Sequence, residues 1–255
     1  MDALLQTIFP FMWVVLRTTG IFITAPVIGA KYVPWPVKVS MSLAIGYCLW
    51  LTLPISYHPT SIPGFVVSAA GEIVFGLFLG FCGTIMMAAI ETAGHIVDME
   101  IGFGMANVID PQYGQPSPIL GIFKYLLMIL VFLGINGHHL FLKALVTSFA
   151  AVPAGSASVP AAWAQLGLNA GAEMLRASLM LSCPVWASSL IVDFALGAIA
   201  RTVPQMNVFV IGIPIKTLVG FGVIAASIMF YGVFAGEITF SIERLIKSFL
   251  EAAAR

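Results

Sequence analysis

Six long apolar stretches recur along the chain, at about residues 4–28, 39–57, 65–90, 119–142, 172–195 and 217–240. Each is near the roughly 20 apolar residues that carry a helix across a bilayer core. None shows the short alternating segments of a membrane barrel. The pattern therefore predicts an all-α, polytopic membrane protein of about six kinked helices, forming a single integral membrane domain over 1–255. The breaks between stretches are unusual. Residues 30–38 (AKYVPWPVK) are short, aromatic and proline-broken, and 91–118 form the longest and most polar connection. Residues 196–216 (LGAIARTVPQMNVFVIGIPIK) are apolar yet hold Pro204, Gly212 and Pro214, so they read as a broken helix or re-entrant hairpin. Such backbone survives at membrane depth only where protein or a water-filled cavity surrounds it. A second apolar hairpin is expected at 147–168.

Composition narrows the class. The chain is 60% hydrophobic and 9% charged, where soluble domains carry about 25% charge. Its 11 basic and 11 acidic residues cancel, which disfavours nucleic acid or an anionic surface as partner. The amino terminus opens on Asp2 and stays apolar, so it reads as an uncleaved first membrane helix and not as a secretory signal. Lys31 and Lys38 place the first connection on the cytoplasmic side and the amino terminus outside. Arg201 and Lys216 then fall cytoplasmic. Six crossings would leave the carboxyl terminus outside, yet Arg244, Lys247 and Arg255 favour the cytoplasmic side. A hairpin that counts as a span, or helices that do not simply alternate, would resolve the conflict. Cys48, Cys82 and Cys183 lie far apart without CxxC spacing and read as small buried hydrophobes.

Four ionisable residues fall in or near the spans: Arg17, Glu72, Arg176 and Glu237. Two bases and two acids without a carboxylate chain favour charge pairing between helices, such as Arg17 with Glu72, over an ion relay. Glu91, His95 and Asp98 share one helix face by spacing. Without ligands from a second element they read as a polar stripe at the membrane edge more readily than as a metal site. The adjacent His138 and His139 point about 100° apart and cannot chelate one ion together. No nucleophile elbow, phosphate loop or dinucleotide fingerprint occurs. The expectation is a chain that is not an enzyme and holds no cofactor or metal. Gly76 and Gly80, continued by Gly83, and Gly232 with Gly236 give GxxxG spacing, which permits close helix approach either within the chain or at a subunit interface.

Several segments are more specific. They are RTTGIFITAPVIG from Arg17, VPWPVK from Val33, ETAGHIVDMEIGFGMANVIDPQYGQPSP from Glu91, FLGINGHH from Phe132, and VDFALGAIARTVPQMNVFVIGIPIKTLVG from Val192. Taken in this order, over about residues 10–250, they resemble the FliR family, the R subunits of the flagellar type III export apparatus. Virulence type III secretion systems have a homologous subunit.

The resemblance implies a component of the protein-export gate in the inner membrane, at the flagellar basal body. It implies assembly with P and Q subunits, contact with the B subunit that switches substrate specificity, and indirect contact with the A subunit and the export ATPase complex. Unfolded flagellar proteins pass through the centre, driven by the partner ATPase and the proton gradient. In that family the connection after the third span contributes to a pore plug. Here it corresponds to about 102–116, with Met105, Val108 and Ile109 as apolar tips. Gly102 and Gly104 would let it move, and Asp110–Pro111 would turn the chain. Some family members carry aromatic rings where this chain has Met105 and Val108, which implies a deformable gasket. Pro204, Gln205, Asn207 and Pro214 are then candidates for subunit contact. The alternative from another class is a lone carrier of ions or small solutes working through Arg17, Glu72, Arg176 and Glu237.

Overall fold

A computed structural model describes residues 2–30, 32–52, 62–103, 118–157, 160–205 and 207–254. Among them every regular element is helical: α1 (Asp2–Thr24), α2 (Trp35–Trp50), α3 (Ile62–Glu100), α4 (Ile119–Gly134), α5 (His138–Ala151), α6 (Ala162–Thr202), α7 (Val208–Ser227), a 3-10 turn (Ile228–Phe230) and α8 (Tyr231–Ala253). The chain is an all-α polytopic membrane protein. Three helical runs are long and apolar enough to cross a membrane: α3, α6, and 210–253 through α7 and α8. At about 1.5 Å per residue, the 39 residues of α3 and the 41 of α6 are nearly twice as long as a bilayer core is thick.

The apolar stretch 119–142 is not one straight span. It breaks into α4 and α5, which bend by 63° and qualify as a crossing only together. The bend sits at the sequence INGH. Asn136 takes the left-handed conformation at φ 59°, which Asn tolerates better than most side chains, and its N–H donates back to the Leu133 carbonyl at 3.0 Å. The 196–216 stretch breaks over only a few residues. α6 runs to Thr202, α7 starts at Val208, and Pro214 lies inside α7, as prolines can in membrane helices. The 147–168 stretch resolves into the end of α5, a connection, and the start of α6. Of the cysteines, Cys82 is buried, whereas Cys48 and Cys183 are exposed on apolar helices.

The helices belong to two compact units. The first comprises Met1–Met86, Leu133–Gly171 and Ile238–Arg255; the second comprises Met87–Phe132 and Ala172–Glu237. In the first unit, α1 lies against the early part of α3 at backbone contact. A methyl group at Gly20 would sit 2.5 Å from the Ile73 carbonyl, and one at Gly76 or Gly80 would collide with the Arg17 carbonyl or the Thr24 hydroxyl. The close-approach face of Gly76 and Gly80 is therefore taken by the chain's own first helix, whereas Gly232 and Gly236 have open space beside them. Farther along, Trp163 packs on Phe78 with ring centroids 4.4 Å apart and on Phe249 at 5.5 Å. Its indole N–H donates to the Phe249 carbonyl at 3.3 Å, which satisfies the one polar atom of a fully buried ring.

In the second unit, Val97, Ile101, Leu120, Val185 and Ile224 form the core. Gly94 of α3 meets the Gly121 backbone of α4, and Gly220 of α7 receives the Ile101 side chain. Glycines at both places let the end of α3 sink between α4 and α7.

Candidate functional site

Each unit contains one buried polar anchor. In the first, Arg17 projects from α1 into a fully closed cluster. Its Nε donates to Glu72 Oε2 of α3 at 2.6 Å and its Nη2 to Oε1 at 3.1 Å, the bidentate geometry that suits a guanidinium and a carboxylate. Nη1 donates to the Ser148 hydroxyl and to the Val152 carbonyl, each at 3.1 Å. The cation lies 4.1 Å from the centroid of Phe149 and 4.5 Å from that of Phe75. Glu72 also accepts the Gly155 N–H at 2.6 Å, and both charged side chains have no exposed surface. Burial of such a pair is tolerable only when the remaining donors and lone pairs are largely used, and here the guanidinium makes four hydrogen bonds from its five donors. The cluster joins α1, α3, α5 and the connection after α5. Arg176 on α6 and Glu237 on α8 are exposed and form no ion pair among the described residues. The four charges do not converge.

The anchor of the second unit is Asp98, in the last turn of α3. Its carboxylate accepts the Leu120 N–H at 3.1 and 3.2 Å and the Gly121 N–H at 3.2 Å. These N–H groups are among the four that the first turn of any helix leaves unsatisfied, so Asp98 caps α4 from across the unit. An anion there also complements the helix dipole. Lys124, one turn farther along α4, is buried as well. Glu91 and His95 stay exposed while Asp98 turns inward. The three residues therefore form no common stripe and meet at no common point.

Just beyond Asp98 the backbone is held again. The Ile101 carbonyl accepts the Thr217 hydroxyl at 3.1 Å, and the Glu100 carbonyl accepts the Ser189 hydroxyl at 3.5 Å. Gly102 adopts φ +92°, a conformation that glycine reaches without strain. Phe103 stacks edge-on against Phe221 at 5.8 Å. The chain on either side of the 104–117 segment is thus fastened inside one unit, on one side by Ser189, Thr217 and Phe221 and on the other by Asp98. Gly104, Met105, Val108, Ile109, Asp110 and Pro111 lie outside the described residues.

Pro204 and Gln205 occupy the exposed turn between α6 and α7; Asn207 and Pro214 are exposed as well. Nearby, Lys216 pairs with Asp193 at 2.7 Å across the two helices. His138 is half-buried and His139 exposed, their rings 4.3 Å apart. Reasoning from sequence missed Asp98 as a cap, along with Lys124, Ser148, Gly155, Ser189 and Thr217. A capping signal usually sits next to the helix that it caps, whereas Asp98 acts from 22 residues upstream. The one local hint was the Ser117–Pro118 pair, a helix-start pattern in sequence, which says nothing of Asp98.

The sequence matches the family described as bacterial export proteins, family 1, over residues 8–241. The chain belongs to that family. Within it, the chain is 34% identical over 232 residues to the flagellar biosynthetic protein FliR of Bacillus subtilis (strain 168), covering 87% of this chain and 86% of the relative. It is 31% identical over 216 residues to the protein of the same name from Escherichia coli (strain K12), covering 85% and 83%. It is also 31% identical over 150 residues to the Yop proteins translocation protein T of Yersinia pestis, covering 58% of each. The family match includes both anchors.

Proposed function

We propose that the chain is a structural, non-enzymatic subunit of the flagellar type III export gate, embedded in the bacterial inner membrane at the basal body. In this reading it assembles with P and Q subunits, contacts the B subunit, and helps to form the path by which unfolded flagellar proteins leave the cytoplasm. The observation that carries the reading is similarity to flagellar biosynthetic proteins over 85–87% of the chain. The flagellar branch is favoured over the virulence branch because the translocation relative matches only 58%.

The fastened backbone beside the 104–117 segment fits a plug. A hydrophobic constriction excludes water and ions by dewetting, and it works only if its base stays in place. Exposed apolar side chains on α6, including Leu179, Ile191 and Phe194, and the exposed turn at Pro204 and Gln205 suit contact with sibling subunits.

Affinity purification of the tagged chain from gently solubilised membranes, followed by mass spectrometry of the intact complex, tests the assembly. The expected result is a defined complex with P- and Q-type subunits. A monomer or homodimer that binds a small solute would instead favour the carrier. Deletion of 104–116 is expected to raise ion leakage across the membrane in the assembled gate; unchanged conductance would remove the plug assignment.

A further inference from the structure

Glu91 and His95 belong to neither anchor. They stand one turn apart on the exposed flank of α3, with Ala88 and Thr92 half-buried beside them. Met99 continues the flank to within three residues of Gly102. Glu91 and His95 form no ion pair among the described residues.

α3 is longer than a bilayer core is thick, so its length alone does not set the surroundings of this flank. Its neighbour in the second unit does. Gly94 of α3 meets the Gly121 backbone of α4, and a methyl group on Gly121 would lie 3.4 Å from the Glu91 carbonyl. The start of α4 is therefore level with Glu91 and His95. There α4 buries Leu120, Gly121 and Lys124 on one side and exposes Ile122, Phe123 and Leu126 on the other. Ile119 and Leu130 extend that exposed stripe, and no exposed residue from Ile119 to Leu130 is polar.

An apolar surface of this extent is covered in the working protein, by hydrocarbon or by an apolar neighbour. A carboxylate and an imidazole at the same level need water or polar partners. One layer of the second unit thus has a dry side and a wet side. In a membrane-embedded assembly, water level with covered apolar faces lies in an internal passage.

We infer that the Glu91–His95 flank of α3 lines the aqueous path of the export gate and that an extended polypeptide slides along it. The inference rests on the export role proposed above and adds which wall of this chain the passenger meets. The chemistry of the flank fits a passage. Ala88, Glu91, Thr92 and His95 are small or well hydrated, so apolar residues of a passing chain gain little by adhering to them, whereas a wall of Ile122 and Phe123 would hold them. Met99, the exposed apolar residue of the flank, stands at its end nearest the segment proposed as a plug, where a narrowing works by staying dry.

The test uses the complete assembly in lipid nanodiscs, which leave both faces open. Cys48 and Cys183, the exposed cysteines, are first replaced by alanine, and His95→Cys or Leu126→Cys is then added. A charged methanethiosulfonate is expected to label His95→Cys and to leave Leu126→Cys unlabelled. An export substrate stalled by a fused globular domain should block the labelling of His95→Cys. In cells, p-benzoylphenylalanine placed at His95 should crosslink to the stalled substrate, and the same group placed at Leu126 should not. Equal labelling at both positions would put the flank at an ordinary water-facing edge and overturn the inference. Labelling at His95→Cys with neither protection nor a substrate crosslink would overturn the path assignment while leaving the export role intact. A chain that joins no P- or Q-type subunits would instead overturn the export role, and the inference with it.

Discussion

The two buried anchors hold the same kinds of group in different ways. Around Arg17 the charge is closed: a bidentate partner, a hydroxyl, a carbonyl and two aromatic faces leave almost no donor over. Around Asp98 the acid serves backbone: three contacts to two N–H groups at the start of another helix. The first arrangement locks four pieces of chain into one unit. The second fixes one edge of a segment whose other edge is fixed by Ser189, Thr217 and Phe221. A closed ion pair is an expensive way to hold helices, because removing either partner strands the other. A cap costs less, since its loss leaves only backbone N–H groups unsatisfied. The Arg17 cluster thus holds the first unit together, while the Asp98 cap fixes the backbone beside the segment proposed above as a plug.

The sharpest way to break this contrast is Arg17→Met. Stranding Glu72 should cost about 3–5 kcal/mol, seen as loss of the folded chain from the membrane fraction and a large drop in thermal stability. If Glu72→Met in the same chain restores part of the loss, the pair acts as a unit, and a double-mutant cycle gives the coupling. Next in size is Gly76→Leu. A side chain there meets the Arg17 carbonyl, so α1 must move away from α3 at about 1–3 kcal/mol or more; a chain as stable as wild type would contradict the observed helix contact. Asp98→Ala should cost about 1–3 kcal/mol by leaving buried N–H groups unsatisfied. Its main signature is faster hydrogen exchange at Leu120 and Gly121, with the rest of the chain unchanged. Smallest is Thr217→Val, which removes one interhelical hydrogen bond worth about 0.6 kcal/mol in membrane proteins, read as slightly faster exchange around Ile101.

Much of this was legible in the sequence, unevenly. The apolar runs gave the helical class because length and hydropathy are one-dimensional properties. The pairing of Arg17 with Glu72 was readable for a similar reason: two opposite charges in hydrocarbon have few alternatives. The rest depends on neighbours that sequence does not supply. The break of 119–142 at Asn136 turns on one left-handed residue. Gly76 and Gly80 have a spacing that fits a partner helix from any chain, and only the fold shows that α1 takes it. Asp98 looked like a surface residue because Glu91 and His95, its helical neighbours by spacing, are on the surface. Whether the helix end sinks between α4 and α7 depends on Gly121 and Gly220, which are far away in sequence.

The central claim is that the chain works in protein export, with its working part near Asp98 and its stability near Arg17. The most direct measurement is the amount of flagellar protein exported into the medium, divided by the amount of this chain in the inner membrane, in a strain supplied only with wild type, Arg17→Met or Asp98→Ala. The account predicts that Asp98→Ala remains in the membrane while export per chain falls, and that Arg17→Met disappears from the membrane. Wild-type export from a strain lacking the chain would contradict the function. Full export per chain from Asp98→Ala would contradict the division of labour.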